Sequence, residues 1–210
     1  MRKGLVITIL TGVIFFAACS DPAADKTKAV TGEAAQVASP AAAQGQKYLI
    51  TPQHCKIEFT ASKVTGSHHG SFGDFNGEIN YAGAPEKSRV NITIKTASIS
   101  ADDPKLTEHL KTPDFFDVAR FPEASFVSTE IKTGGENGAS HTVTGNLTMH
   151  GVTKAITFPA TIAVTPDAAT VESTFSINRK DFGINYAGAA DNAIRDNVVL
   201  TFHVHANKAP

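Results

Sequence analysis

The sequence has no tryptophan and only two cysteines, Cys19 and Cys55. That excludes the disulfide framework of many small secreted domains, so stability must come from a buried core. Basic blocks are missing too: 19 Lys and Arg stand against 20 Asp and Glu, scattered along the chain. Without a concentrated positive surface, no nucleic acid is expected as a partner. There is no Gly-x-Ser-x-Gly elbow and no glycine-rich loop ahead of a lysine. The chain is therefore expected not to be an enzyme and to need no cofactor. Eight histidines include the neighbours His68 and His69 and the pair His203 and His205. They make no compact four-ligand set, so the expectation is a solvated edge and no metal centre.

What is present starts at the N-terminus. Arg2 and Lys3 precede an uncharged run from Leu5 to Ala18. The run falls short of the ~20 apolar residues that span a bilayer. A charged start, a short apolar core and small residues before a cut point read as a secretory signal. Phe16-Ala17-Ala18-Cys19 resembles a bacterial lipobox, with Phe16 where leucine is usual. The expectation is a signal peptide over residues 1–18, removed to leave an acylated Cys19. The protein is then a membrane-anchored lipoprotein facing the periplasm, and Ser20 points to the outer membrane. The processed chain has 17 basic and 20 acidic residues, a formal charge of −3. Cys55, left alone, reads as a small buried apolar residue.

Residues 19–46 are rich in Ala, Gln, Thr, Ser and Gly and contain no aromatic residue. Such a stretch buries too little apolar area to offset its ordering entropy, so it is expected to be a flexible tether. Residues 47–210 are expected to form one domain, long enough for a proper core. Apolar residues there recur at every second position, the period of a half-buried strand. Ile57 and Phe59 begin one run; Phe75, Ile79 and Tyr81 fall in another. Val90, Ile92 and Ile94 follow, then Val143, Leu147 and Met149 in step with Gly145. Ile156, Phe158, Ile162 and Val164 alternate around Ala160; Val171, Phe175 and Ile177 follow, then Val198, Leu200, Phe202 and Val204. Turn residues such as Gly83-Ala84-Pro85 and Thr133-Gly134-Gly135 separate the runs. Consecutive strands with short turns predict an all-β antiparallel meander, as a closed sheet or two facing sheets.

One stretch departs from this period. Pro104 suits the first position of a short helix with Asp103 as its cap. A second helical turn is expected to enter through Pro113, and Leu106, Leu110, Phe115 and Phe116 are placed to close the end of a barrel.

Three segments carry a family resemblance. They are Leu106-Thr107-Glu108-His109-Leu110-Lys111-Thr112-Pro113-Asp114-Phe115-Phe116-Asp117-Val118, then Thr144-Gly145-Asn146-Leu147-Thr148-Met149-His150-Gly151-Val152-Thr153-Lys154, then Asn178-Arg179-Lys180-Asp181-Phe182-Gly183-Ile184. In order and spacing they resemble the YceI-like family, from Tyr48 to Ala206. The stretch from Val64 to Phe72, with His68 and His69, is more polar than the family pattern. The resemblance implies an extended eight-stranded antiparallel lipocalin-like barrel with a short helical segment near residues 103–118. It also implies binding of a polyisoprenoid or similar long-chain amphiphile in the lumen. Phe59, Phe75, Ile92, Ile94, Leu147, Met149, Phe158, Phe175, Leu200 and Phe202 have the inward parity expected of its wall. Sequence alone does not separate a hollow barrel from a filled one that serves as an interaction scaffold, and it leaves a homodimer open. Arg179 continues the inward parity of Phe175 and Ile177. A cation there needs a partner. Asp181 is one candidate, and the anionic head of a lipid ligand is the other.

Overall fold

A computed structural model describes residues 21–36 and 45–210. The expected signal peptide 1–18, Cys19, Ser20 and residues 37–44 lie outside the described residues. A short N-terminal strand, β1 (Val30–Glu33), comes first. It is followed by β2 (Gln46–Ile50), β3 (Lys56–Lys63), β4 (Gly66–Phe72), β5 (Phe75–Tyr81), β6 (Arg89–Lys95) and β7 (Ile99–Ala101). The helix α1 (Pro104–Leu110) separates these from β8 (Glu123–Thr133), β9 (His141–Met149), β10 (Val152–Val164) and β11 (Ala168–Asn178). A two-stranded hairpin, β12 (Gly188–Ala189) and β13 (Asn192–Ala193), precedes the last strand, β14 (Asn197–Lys208).

Three pairs of strands are bent halves of single staves. β2 pairs with β5 while β3 pairs with β4, and β14 pairs with both β2 and β3. β6 continues the stave of β7 in the same way, facing β5 and then β4. Counted as staves, the circuit runs β2/β3, β4/β5, β6/β7, β8, β9, β10, β11, β14 and back to β2/β3. This is a closed eight-stranded antiparallel barrel, with every stave paired on both sides and the β10–β11 ladder limited to four residue pairs.

Period-2 alternation holds along most of the staves, so the barrel interior is the core. Three contacting clusters fill it: one around Tyr48, Ile50 and Phe75, one around Phe158, Phe175 and Ile177, and one at the helical end around Phe59, Leu110 and Ile184. Strand β8 breaks the alternation. Its register with β9 shifts between Ser128 and Glu130, a β-bulge, so Phe126 and Ile131 point the same way despite opposite parity. Gly145 lies under Phe126, whose ring a Cβ at that position would meet at 2.4 Å. Glycine there lets the ring lie flat on the inner wall.

Helix α1 forms as expected: the Asp103 side chain accepts the Leu106 N–H at 2.8 Å, and Pro104 opens the helix. The second helical turn does not form. Residues 111–117 are tight turns instead, with Phe116 N–H donating to Leu110 O at 3.0 Å and Asp117 N–H to Thr112 O at 2.9 Å. Pro113 brings no N–H to a helical ladder, and Asp117 has φ 44°, so the helix cannot continue.

The expected tether needs a larger correction. Residues 21–36 lie on the barrel. β1 pairs antiparallel with β10, from Val30↔Thr157 to Glu33↔Lys154. On its other side, Ala29 N–H donates to Ser176 O and Ser176 N–H donates to Thr27 O, both at 2.8 Å. Ala29 is buried. The segment lacks apolar side chains, as its composition says, but the open backbone edges of two strands hold it.

Candidate functional site

Among the described residues, two apolar chambers lie in the lumen. The main one, about 80 Å³, lies in the middle of the barrel and is lined by Ile92, Phe126, Leu147, Phe158, Leu200 and Phe202 with neighbours from β2, β5, β10, β11 and β14. Ser173 is the polar side chain among its lining residues, and its hydroxyl donates to Pro159 O at 2.6 Å. The wall therefore offers a ligand dispersion contacts and no free hydrogen-bonding group. The second chamber, about 90 Å³, sits at the helical end between Phe59, Phe72, Leu110, Phe115, Met149 and Ile184. Of the expected plug residues, Leu110, Phe115 and Phe116 line this chamber, and Leu106 packs against the same cluster without lining it.

Leu200 lines both chambers, and Met149 packs against all three core clusters. These two side chains stand between the cavities. A pocket for a drug-sized ligand measures roughly 300 Å³ or more. A long chain thus needs the chambers to merge, and a thioether side chain with three rotatable bonds is suited to move aside.

Of the residues expected on the wall, Ile92, Ile94, Leu147, Phe158, Leu200 and Phe202 line the main chamber. Phe59, Met149 and Arg179 line the second, together with Leu200. Phe75 and Phe175 point inward and are buried, but they line neither chamber. Phe175 stacks on Phe158 at 4.2 Å and 12° between planes, which places it behind the lining. Parity gives the face of a strand, not the depth of a side chain within it. Phe126, Val143 and Ile156 also line the main chamber.

Arg179 is not on a strand. It opens a 3₁₀ turn, Arg179–Phe182, just past β11. Its guanidinium is buried, donating from Nη1 to Ile184 O at 2.7 Å, from Nε to Arg195 O at 3.2 Å and from Nη2 to Ile194 O at 3.4 Å. The carboxylate beside it is Asp196, at 3.5 Å, and not the expected Asp181. Burial pushes the guanidinium pKa down and Asp196 opposes that shift. The arginine clasps the loop between β11 and β14 to the barrel end. His203 and His205 are exposed on β14, with His203 bonded to Glu172. Among the described residues no group of three or more His, Cys, Asp or Glu is placed to hold a metal ion.

Residues 48–206 match the YceI-like domain. The chain belongs to the YceI-like family. A UPF0312 protein of Pseudomonas putida strain GB-1 is 39% identical over 150 residues, 68% of this chain and 77% of the relative. A UPF0312 protein of Pseudomonas syringae pv. tomato is 40% identical over 144 residues, 65% of this chain and 74% of the relative. Among solved structures, Burkholderia cenocepacia BcnA superposes with TM-score 0.64 at 23% identity, covering 75% of this chain and 99% of that one. A polyisoprenoid-binding domain from Saccharophagus degradans, implicated in plant cell wall breakdown, gives TM-score 0.62 at 16% identity, covering 78% and 98%. The YceI-like domain coincides with the barrel, from Tyr48 in β2 to Ala206 in β14. Strand β1 lies outside it.

Proposed function

We propose that this YceI-like barrel binds one long-chain amphiphile, a polyisoprenoid or fatty-acid-like lipid, in its lumen and carries it without catalysis. The observation that carries this reading is the wall of the main chamber: branched aliphatics and phenylalanines, with the Ser173 hydroxyl already bonded to backbone. Such a wall suits an alkyl or prenyl chain and rejects a polar guest. The shared fold of the S. degradans polyisoprenoid-binding domain supports the same class of cargo. The small chambers favour a second reading, a filled barrel serving as an interaction scaffold.

The discriminating experiment is solvent extraction of the purified protein followed by mass spectrometry. The lipid reading expects a long-chain amphiphile near equimolar with protein. An extract without lipid, from protein that also takes up no added farnesol or long-chain fatty acid, leaves the scaffold. Anchoring through an acylated Cys19 belongs to the proposal, since small residues before that cysteine follow an uncharged apolar run. Cys19→Ala is expected to leave the membrane fraction or stall in processing; an unchanged membrane fraction contradicts the anchor.

A further inference from the structure

The barrel does not close on itself along its whole length. The ladder between β10 and β11 runs only from Val164↔Ala169 to Thr161↔Glu172. Two residues further along β10 stands Pro159, which has no N–H to donate, although β10 itself runs on unbroken and stays paired with β9. Past that point β10 and β11 part, and β1 fills the seam, antiparallel to β10 and bridged in parallel to β11 at Lys28↔Ser176. Behind β1 lies the lumen wall: Ala29 packs in the same core cluster as Ile156 and Phe158, which line the main chamber.

The strand that fills the seam is unlike the eight staves. None of its four residues is buried, and Val30 is 71% exposed. Its grip is backbone hydrogen bonding, with an ion pair between Glu33 and Lys154 at 2.8 Å. Beyond its end Asn146 Nδ2 donates to Ala35 O at 2.7 Å and Ala35 N–H donates to Asn146 Oδ1 at 2.9 Å. Before it the exposed Thr27 hydroxyl accepts from Asn137 Nδ2 at 2.8 Å and donates to Glu136 at 3.4 Å. Gly32 weakens it further, because a glycine in a strand packs nothing. A segment with few buried apolar contacts and solvent-accessible bonds belongs to the low-stability end of a structure. The family domain begins at residue 48, so this seal is an addition to the barrel and not one of its staves.

We infer that the seam between β10 and β11 is a lateral portal to the lumen and that residues 27–33 are its removable seal. The inference rests on the lumenal-lipid reading. An alkyl or prenyl chain enters and leaves sideways past Ile156 and Phe158 when β1 peels off, while the closed ladders of the other staves stay intact. Asp21, paired with Arg195 at 3.6 Å, holds the near end of the same segment. It stands two residues from Cys19, a reach of at most about 7 Å. An anchor at Cys19 therefore sets the seal close to the membrane surface.

The test locks the seal. Val30 and Thr157 are register partners on the outer face, so Val30→Cys with Thr157→Cys places two thiols across the β1–β10 pair. The processed chain is exported through a non-lipoprotein signal with Cys19→Ser, which keeps it soluble and leaves every later residue in place. Stopped-flow fluorescence then follows uptake of dansyl-undecanoic acid. The oxidised protein should take up and release the probe at least tenfold more slowly than the reduced one, with the same amount bound at equilibrium. Gly32→Pro, which removes a ladder donor from β1 alone, should speed uptake at least threefold. Equal rates in oxidised and reduced protein, or unchanged uptake in Gly32→Pro, overturn the portal while leaving lumenal binding intact. No uptake in any form overturns the portal and the lipid reading together.

Discussion

Phe158 of β10 and Phe175 of β11 stack at 4.2 Å, with 12° between their planes, at the point where their two strands have stopped exchanging hydrogen bonds. The rings hold together two staves that the backbone no longer joins. Phe175 is fully buried and Phe158 faces the main chamber, so the stack forms the inner side of the seam that β1 covers outside. The wall of the main chamber and the seam thus meet at one pair of side chains.

Narrowing the main chamber tests where the cargo lies. Ile92→Phe adds volume to the wall without adding charge, at a cost of roughly 1–3 kcal/mol in stability. The variant should remain folded by circular dichroism and lose most of its co-purified lipid. A folded Ile92→Phe protein with undiminished lipid content contradicts a cargo site at that wall.

Arg179 is expected to act on the loop and not on a ligand head. Asp196 is half-exposed and keeps Lys180 as a partner, so the loss falls on the carbonyls of Ile184, Ile194 and Arg195, whose lost donor costs roughly 1–3 kcal/mol for a buried acceptor left unsatisfied. Arg179→Gln should lower the unfolding midpoint markedly. It should weaken a prenyl phosphate and the matching prenyl alcohol by the same factor. A selective loss of the phosphate returns the head-group role to this residue.

Acid should erase one specific contribution to stability. Asp102 accepts the His69 N–H at 3.0 Å and faces His68 Nδ1 at 2.8 Å. The His69 amide first, and His68 after it, hold the carboxyl below its ordinary value of 3.8. Its folded pKa is thus lower than its unfolded one. The stabilisation is complete above the unfolded value and is lost as pH falls through the folded value. Since the carboxylate is part-exposed, the effect is small. The melting-temperature gap between the parent and Asp102→Asn should be present at pH 7 and close as the pH drops below 3.8 and further. A gap that stays constant into acid contradicts this.

Much of the barrel was legible because alternation is a physical requirement of a half-buried strand. Ile92, Leu147, Phe158, Leu200 and Phe202 could be placed inside from spacing alone, and all of them line the main chamber. Phe126 and Ile131 could not, because the bulge after Ser128 changes parity midway along β8 and leaves no mark in composition. β1 was hidden for a different reason. Its residues are small and polar, and what holds them is two backbone edges that exist only once β10 and β11 have parted. The partner of Arg179 was missed because Asp196 returns from the far side of a loop. Asp181 is nearer in sequence but lies in the same 3₁₀ turn as the arginine.

The central claim, a lipid chain inside the barrel, is tested most directly by methyl NMR on protein labelled at isoleucine, leucine and valine, titrated with a long-chain fatty acid or prenyl alcohol. The account predicts that the methyls of Ile92, Leu147 and Leu200 shift together and saturate at one equivalent, while the outward methyls of Leu49 and Val64 stay in place. Shifts confined to Leu49 and Val64, or no shifts at saturating lipid, would contradict it.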